Sequence, residues 1–200
     1  MHLSPVTVKL ARGSHAADTG QACVMELVSC LAGESWSDSP QCVSPIIAAF
    51  MRQWNDQLGD EDREMLKELI PVVIGTRTHL ADEMTRSWLA VDWLLRTHTT
   101  SWLDLAGLGK QADAVRNGPQ ITNGELLAEA MPALITARDS AAAARAAARD
   151  AAGAAAWAAA GDAAGAAARA AAGAKLKPTI SALQKSAIEL VKRMAQVGRP

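Results

Sequence analysis

Tyrosine is absent from this chain, phenylalanine occurs once, at Phe50, and cysteine three times, at Cys23, Cys30 and Cys42. An odd, irregularly spaced cysteine set argues against a small disulfide-stapled secreted domain. Neither sign of charge dominates: 20 basic and 21 acidic side chains leave a net charge of −1. Overall charge therefore gives no reason to expect nucleic acid or an anionic membrane as partner. The start, MHLSPVTVKLARGSH, lacks the apolar core of a signal peptide. The longest apolar stretch is alanine, broken by Gly, Asp and Arg, and too weakly hydrophobic for a membrane span. A cytoplasmic protein with reduced thiols is the expectation. Walker A, GxGxxG, GxSxG, HExxH and EF-hand patterns are missing. GLGKQA at 107–112 fits only the looser GxGxxA form and no strand precedes it. Whether the chain is an enzyme stays open on these grounds.

What is present is helical periodicity. Residues 5–10 partly alternate and suit a short strand or an extended arm. Asp18-Thr19 offers a helix cap, with Cys23, Leu27, Cys30 and Leu31 on one face and Gly33 as the stop. Ser44-Pro45 opens a second helix carrying Ile46, Ile47, Phe50, Trp54 and Leu58. Leu66, Leu69, Ile70, Val73 and Ile74 continue the stripe, split by Pro71 and ended by Gly75. Thr78 caps a helix expected to turn Leu80, Met84, Trp88, Val91 and Leu95 inward, and Thr100 or Ser101 the next. After a break at 117–119, a helix with Leu126, Leu127, Ala130, Leu134 and Ile135 follows, and Pro178-Thr179 opens a last one.

Between them lies an alanine-rich insert. DAAGAAAWAAAG at 150–161 repeats as DAAGAAARAAAG at 162–173, differing at Trp157 and Arg169. Alanine is the best helix former, and each interior glycine opposes it by about 1 kcal/mol. One long helix is favoured over two antiparallel pieces turning near Gly161, because the break holds no proline. The insert is either a tolerated spacer or a helix-packing surface anchored by Trp157; it lacks the spaced threonines of an ice-binding helix.

The candidate chemistry is sparse. His15, Cys23, Cys30 and Cys42 are zinc-ligand types without a CxxC knuckle, and buried structural cysteines are the plainer reading. Cys23 with His15 has the makings of a nucleophile pair if something lowers the thiol pKa. Glu26, Glu34, Asp38 and Asp56 are a possible carboxylate cluster, with capping and solvated roles as the alternative. His79 has Asp82 and Glu83 one turn on. Trp93, off the main stripe, is a candidate interface residue, as is Trp157. His15, Cys23, Glu26, Glu34, Asp38 and Cys42 together form the candidate functional cluster.

The pieces CVME, LAGE, WSD-P-C-SP, WND and the closing GT, within residues 23–76 and with flanking His15 and Gly20, resemble a family of hypothetical proteins of actinobacteria and their phages. The resemblance implies a helical N-terminal domain and such a source, and no activity. Heavy use of Ala, Arg and Gly fits a GC-rich genome.

The expectation is an all-α, multi-helix bundle with a long alanine-rich helix or helical hairpin. A helical N-terminal domain spans 1–122, and an alanine-rich segment with a C-terminal helix spans 123–200. The expected role is a non-enzymatic interaction module for a protein partner or itself, with no cofactor, nucleic acid or membrane. The alternative is a metal-binding protein or hydrolase-type enzyme using the His15, Cys23, Glu34, Asp38 and Cys42 region.

Overall fold

The computed structural model describes residues 8–158 and 162–199, with side chains 150–171 outside the description. The chain is all-α with one two-stranded sheet among the described residues, and it divides into two compact units. One comprises Met1–Ser87 with Ile188–Pro200, the other Trp88–Ala187. The boundary drawn from composition at 122/123 falls inside the second.

In the first unit the arm is a strand, β1 (Lys9–Leu10), paired in parallel with β2 (Gln21–Ala22) in register Lys9 to Gln21. Helix α1 (Val24–Leu31) follows at once. Its cap is Cys23, not Thr19: the Sγ accepts from Glu26 N and the Glu26 carboxylate accepts from Cys23 N, a reciprocal capping box. Gly33, at φ +75°, turns the chain out of the helix. Helix α2 (Pro45–Gln57) starts as its sequence dictates, with Ser44 Oγ accepting from Ile47 N and Pro45 in the first turn. The next stripe breaks into α3 (Asp60–Arg63), a 3-10 stretch (Glu64–Leu69) and α4 (Ile70–Val73), the last with Pro71 in its first turn. Leu10, Met25, Leu27, Ile47, Met51, Leu66, Leu69, Leu190 and Met194 are fully buried here. Each contributes about 1.5–3 kcal/mol by leaving water.

Helix α5 (Leu80–Trp93) corrects the expected phase. Leu80 is 78% exposed and Met84 52%, whereas Arg86 is wholly buried. Its guanidinium donates to Glu83 Oε1 (2.6 Å), Thr78 Oγ1 (3.0 Å), Met194 O (3.1 Å) and Val197 O (2.6 Å). Four acceptors compensate the buried cation, so a polar residue takes the inward position that apolar periodicity assigned to its neighbours.

In the second unit the helix continues without a break through a π-helical segment (Leu94–Thr99) into α6 (Thr100–Leu105), so neither Thr100 nor Ser101 caps a start. Helix α7 (Gly109–Arg116) leads to α8 (Gly124–Ala158) and α9 (Asp162–Gln196). Leu103, Ala112, Val115 and Ala137 form a small core, with Leu108, Ala133, Leu134 and Ala141 packed on it. Pro132 and Pro178 both lie inside helices, so Pro178 opens none; the alanine-rich turns before it carry the helix through. The favoured single long helix is also overturned. Ile121 N donates to Asp92 Oδ1 and Trp93 Nε1 to Ser186 Oγ, so both ends of the insert reach adjacent residues. One straight helix over 124–196 would hold its ends about 110 Å apart.

Replacing Arg86 by Met is expected to lower unfolding free energy by about 3–5 kcal/mol, because Glu83 keeps its charge without its main partner. Arg86→Met combined with Glu83→Gln is expected to regain part of that loss; urea denaturation measures both. Gly198→Ala should also destabilise, since its φ of +72° disfavours a side chain and the new Cβ would collide with the Asp82 carboxylate.

Candidate functional site

The first unit gathers three of the six candidate residues around the start of α1. Glu26, 2% exposed in its side chain, is the centre. Oε1 accepts from His15 N at 2.7 Å, and Oε2 from Cys23 N at 2.7 Å. His15 Nδ1 lies 3.3 Å from Oε2. The capping box fixes the carboxylate, and the arm then wraps over it, with Trp36 Nε1 donating to His15 O at 2.7 Å.

Asn55 and Asp56, near the end of α2, close the other side. Asn55 Oδ1 accepts from Val24 N, and Nδ2 donates to Ala11 O and Asp56 Oδ1. Asp56 Oδ1 also accepts from Gly13 N. Burial pushes the Asp56 carboxyl up, but the Gly13 N–H, the Asn55 amide and the charges of Arg12 and Arg63 outweigh it and hold the group below its usual range. Glu64 behaves alike: burial raises it, while Lys67 and the Leu10 N–H bring it down.

The remaining candidates sit in the loop between α1 and α2. Glu34 accepts from Gln41 N at 2.6 Å and Cys42 N at 2.7 Å, stapling the loop. The hydrogen bond of the Cys42 thiol, then that of the Gln41 N–H, holds the Glu34 carboxyl below its usual range. Asp38 accepts from Ser39 Oγ, and its carbonyl from Arg52. No group of three or more His, Cys, Asp or Glu able to hold a metal ion occurs among the described residues. Cys23 is buried, and that burial pushes its thiol up to about 12, the opposite of an activated nucleophile. The geometry binds the arm to the helix ends.

His79 donates no cluster: Asp82 takes its bonds from Thr78 and the His79 backbone, and Glu83 from Arg86 and Ser44. Trp93 is half-buried, with Nε1 on Ser186 and its ring 5.5 Å from His98. The Trp157 side chain lies outside the described residues. Sequence reasoning missed Asn55, Trp36 and Arg86; the Trp and Asn of the quoted motifs were the available signal for the first two.

The second unit carries two open grooves. One, about 370 Å³, lies between α7 and α8 along Lys110, Gln111, Pro132 and Thr136. The other, about 310 Å³, runs beside the π-helical segment, where Arg96 and Arg116 meet Thr97, Thr100 and Ser101. Asp92 already pairs with Arg96, and Asp104 and Asp113 with Arg116, so neither guanidinium is left to recruit an anion. Compared with family models, curated proteins and solved structures, the chain shows no match.

Native Cys23 is expected to resist iodoacetamide at neutral pH and to react on unfolding, as peptide mass spectrometry will show. Cys23→Ser should keep the cap, whereas Cys23→Ala should cost about 1 kcal/mol. Because Asp56 and Glu64 titrate lower folded than unfolded, their contribution is present above the ordinary carboxylate pKa values of 3.8 and 4.5 and is lost as pH falls through the folded ones. Asp56→Asn should flatten that acid limb in a pH series of thermal melts.

Proposed function

We propose that this chain is a non-enzymatic protein–protein interaction module whose binding element is the pair of alanine-rich helices. The observation that carries the reading is α8 itself. Its inner seam is spent on α7, while Met131 and Ile135 remain exposed on its outer side, followed by alanine and arginine out to Arg149. Exposed apolar side chains in a row on a rigid helix are the usual mark of a docking face. The partner is a protein, a second copy of the chain included.

A cytoplasmic setting, and an origin in an actinobacterium or its phage, belong to the same proposal; reduced cysteines and the resemblance of residues 15–76 support them. No helix among the described residues is long and apolar enough to cross a membrane. The alternative, a metal-binding or hydrolase-type protein, draws support only from the meeting of His15, Cys23 and Glu26. The raised Cys23 thiol and the separation of Glu34, Cys42 and Asp38 from the Glu26 bonds weigh against it.

Light scattering is expected to give a defined oligomer that shrinks when residues 145–174 are replaced by a short Gly-Ser link. Circular dichroism checks that the remaining helices persist. An intact chain that is monomeric, or an oligomer unchanged by the deletion, would remove these helices as the binding element.

A further inference from the structure

We propose that His98 is an acid-released latch within the second unit: its neutral ring holds the indole of Trp102, and taking up a proton makes it let go of α6. Trp102 Nε1 donates to His98 Nε2 at 3.2 Å. An indole nitrogen only donates, so the imidazole must accept. Nε2 therefore turns its lone pair to Trp102, and the neutral ring keeps its proton on Nδ1. A second proton goes to Nε2 and sets two N–H groups against each other. Neither accepts, so the bond breaks. Trp102 meets His98 with its N–H edge, the positive rim of the ring, so it offers the new cation no π face in exchange.

The π-helical segment builds this arrangement. On an α-helix, side chains five residues apart point about 140° apart. The wider π turn, closed by i→i+5 bonds, instead brings His98 beside Trp93, with ring centroids 5.5 Å apart. Trp93 is itself bonded to Ser186 on α9. Hydroxyls serve the carbonyls of the widened turn: Thr99 donates to Leu94 O, Thr100 to Arg96 O and Ser101 to Thr97 O. Irregular turns of this kind recur at functional sites. Helix α6 starts directly after and carries Trp102 next to Leu103, a member of the small core with Ala112, Val115 and Ala137. Freeing Trp102 thus acts on the turn that seats α6 against α7 and α8.

Neighbouring charges leave the latch to its own surroundings. One turn either side of His98 stand Leu94, Leu95, Ser101 and Trp102, all uncharged. Among the elements packed on the segment, Asp104 and Asp113 bond to Arg116, and Arg96 to Asp92. Lys110 lines the groove between α7 and α8, and Lys185 neighbours Ser186 on α9. Burial is the single cause acting on the His98 ring, and it pushes the pKa below the ordinary 6.5. Above 6.5 the latch is therefore closed without competition. Between 6.5 and the lowered value the opened form takes the proton more readily, and closure is progressively lost.

Nuclear magnetic resonance of the intact chain is the experiment. The indole N–H signal of Trp102 is identified by its loss in W102F. In the unaltered chain it should move with the same midpoint as the His98 ring carbons, below 6.5. In H98Q, whose amide oxygen still accepts, it should stay still over that range. In W102F the His98 midpoint should rise toward 6.5, because the opposing donor is gone; burial alone would leave it in place. Protection of the α6 amides against hydrogen exchange should fall about tenfold for each unit by which the midpoint lies below 6.5, and should not fall in H98Q. An indole signal that stays still while His98 titrates, a midpoint unchanged in W102F, or equal loss of protection in H98Q and the unaltered chain overturns the latch. Circular dichroism checks the folding of H98Q; should it fail to fold, the titrations of the unaltered chain and of W102F decide.

Discussion

A single buried guanidinium ties the first unit together. Moving a cation out of water costs several kcal/mol unless its donors are met, and Arg86 meets them on two parts of the chain. Thr78 and Glu83 come from the start of its own helix. The carbonyls of Met194 and Val197 come from the end of α9, where the helix dipole is negative and a cation is favoured. Glu83 passes the connection on, because its second oxygen accepts from Ser44 Oγ at 2.5 Å, and that hydroxyl caps α2. Chain ends more than a hundred residues apart are thus fixed by one group. Arg199 repeats the device on a smaller scale, donating to the carbonyls of Val72 and Ile74 where α4 stops.

The same logic explains why so polar a region can be so tightly folded. Two-residue strands and four-residue helices leave many backbone groups without partners, and side chains supply them. Glu26 takes the N–H groups of His15 and Cys23, Asn55 that of Val24, Asp56 that of Gly13 and Glu64 that of Leu10. Arg63 covers the carbonyls of Asn55 and Leu58 at the end of α2. No buried side-chain nitrogen or oxygen among the described residues is left unpartnered. Bonds of this kind are worth about 1.5–3 kcal/mol each where a charge is involved, and they are what hold the arm down.

The sequence made some of this legible and hid the rest for identifiable reasons. Ser44-Pro45, Gly33 and Gly75 announce their turns, because only certain residues suit a cap or a positive φ. Cys23 was missed as a cap because cysteine is an uncommon one, and its partner Glu26 three residues on was the clue. The parallel strand pair is too short to show alternation. Helix α5 was phased on its leucine and methionine, a rule that fails where a charged group is inward and fully paired. Of the candidate site, His15, Cys23 and Glu26 do meet. Glu34 and Cys42 belong to a separate loop staple, Asp38 bonds to Ser39 and Arg52, and one-dimensional spacing could not separate networks so close in sequence.

The first unit and helix α8 follow opposite rules. In the first unit, Glu26, Asn55, Asp56 and Arg86 spend much of their bonding capacity on backbone groups of the same unit, and Glu83 spends its own on Arg86 and Ser44. Helix α8 needs no such help, since an α-helix satisfies its own backbone and alanine adds almost nothing to bury. Its outer side chains are therefore under no folding demand. Met131, Ile135, Arg145 and Arg149 are exposed along it, while Arg138 pairs with Asp139. Under the proposed function, contact with a protein partner would use both their apolar and their cationic character.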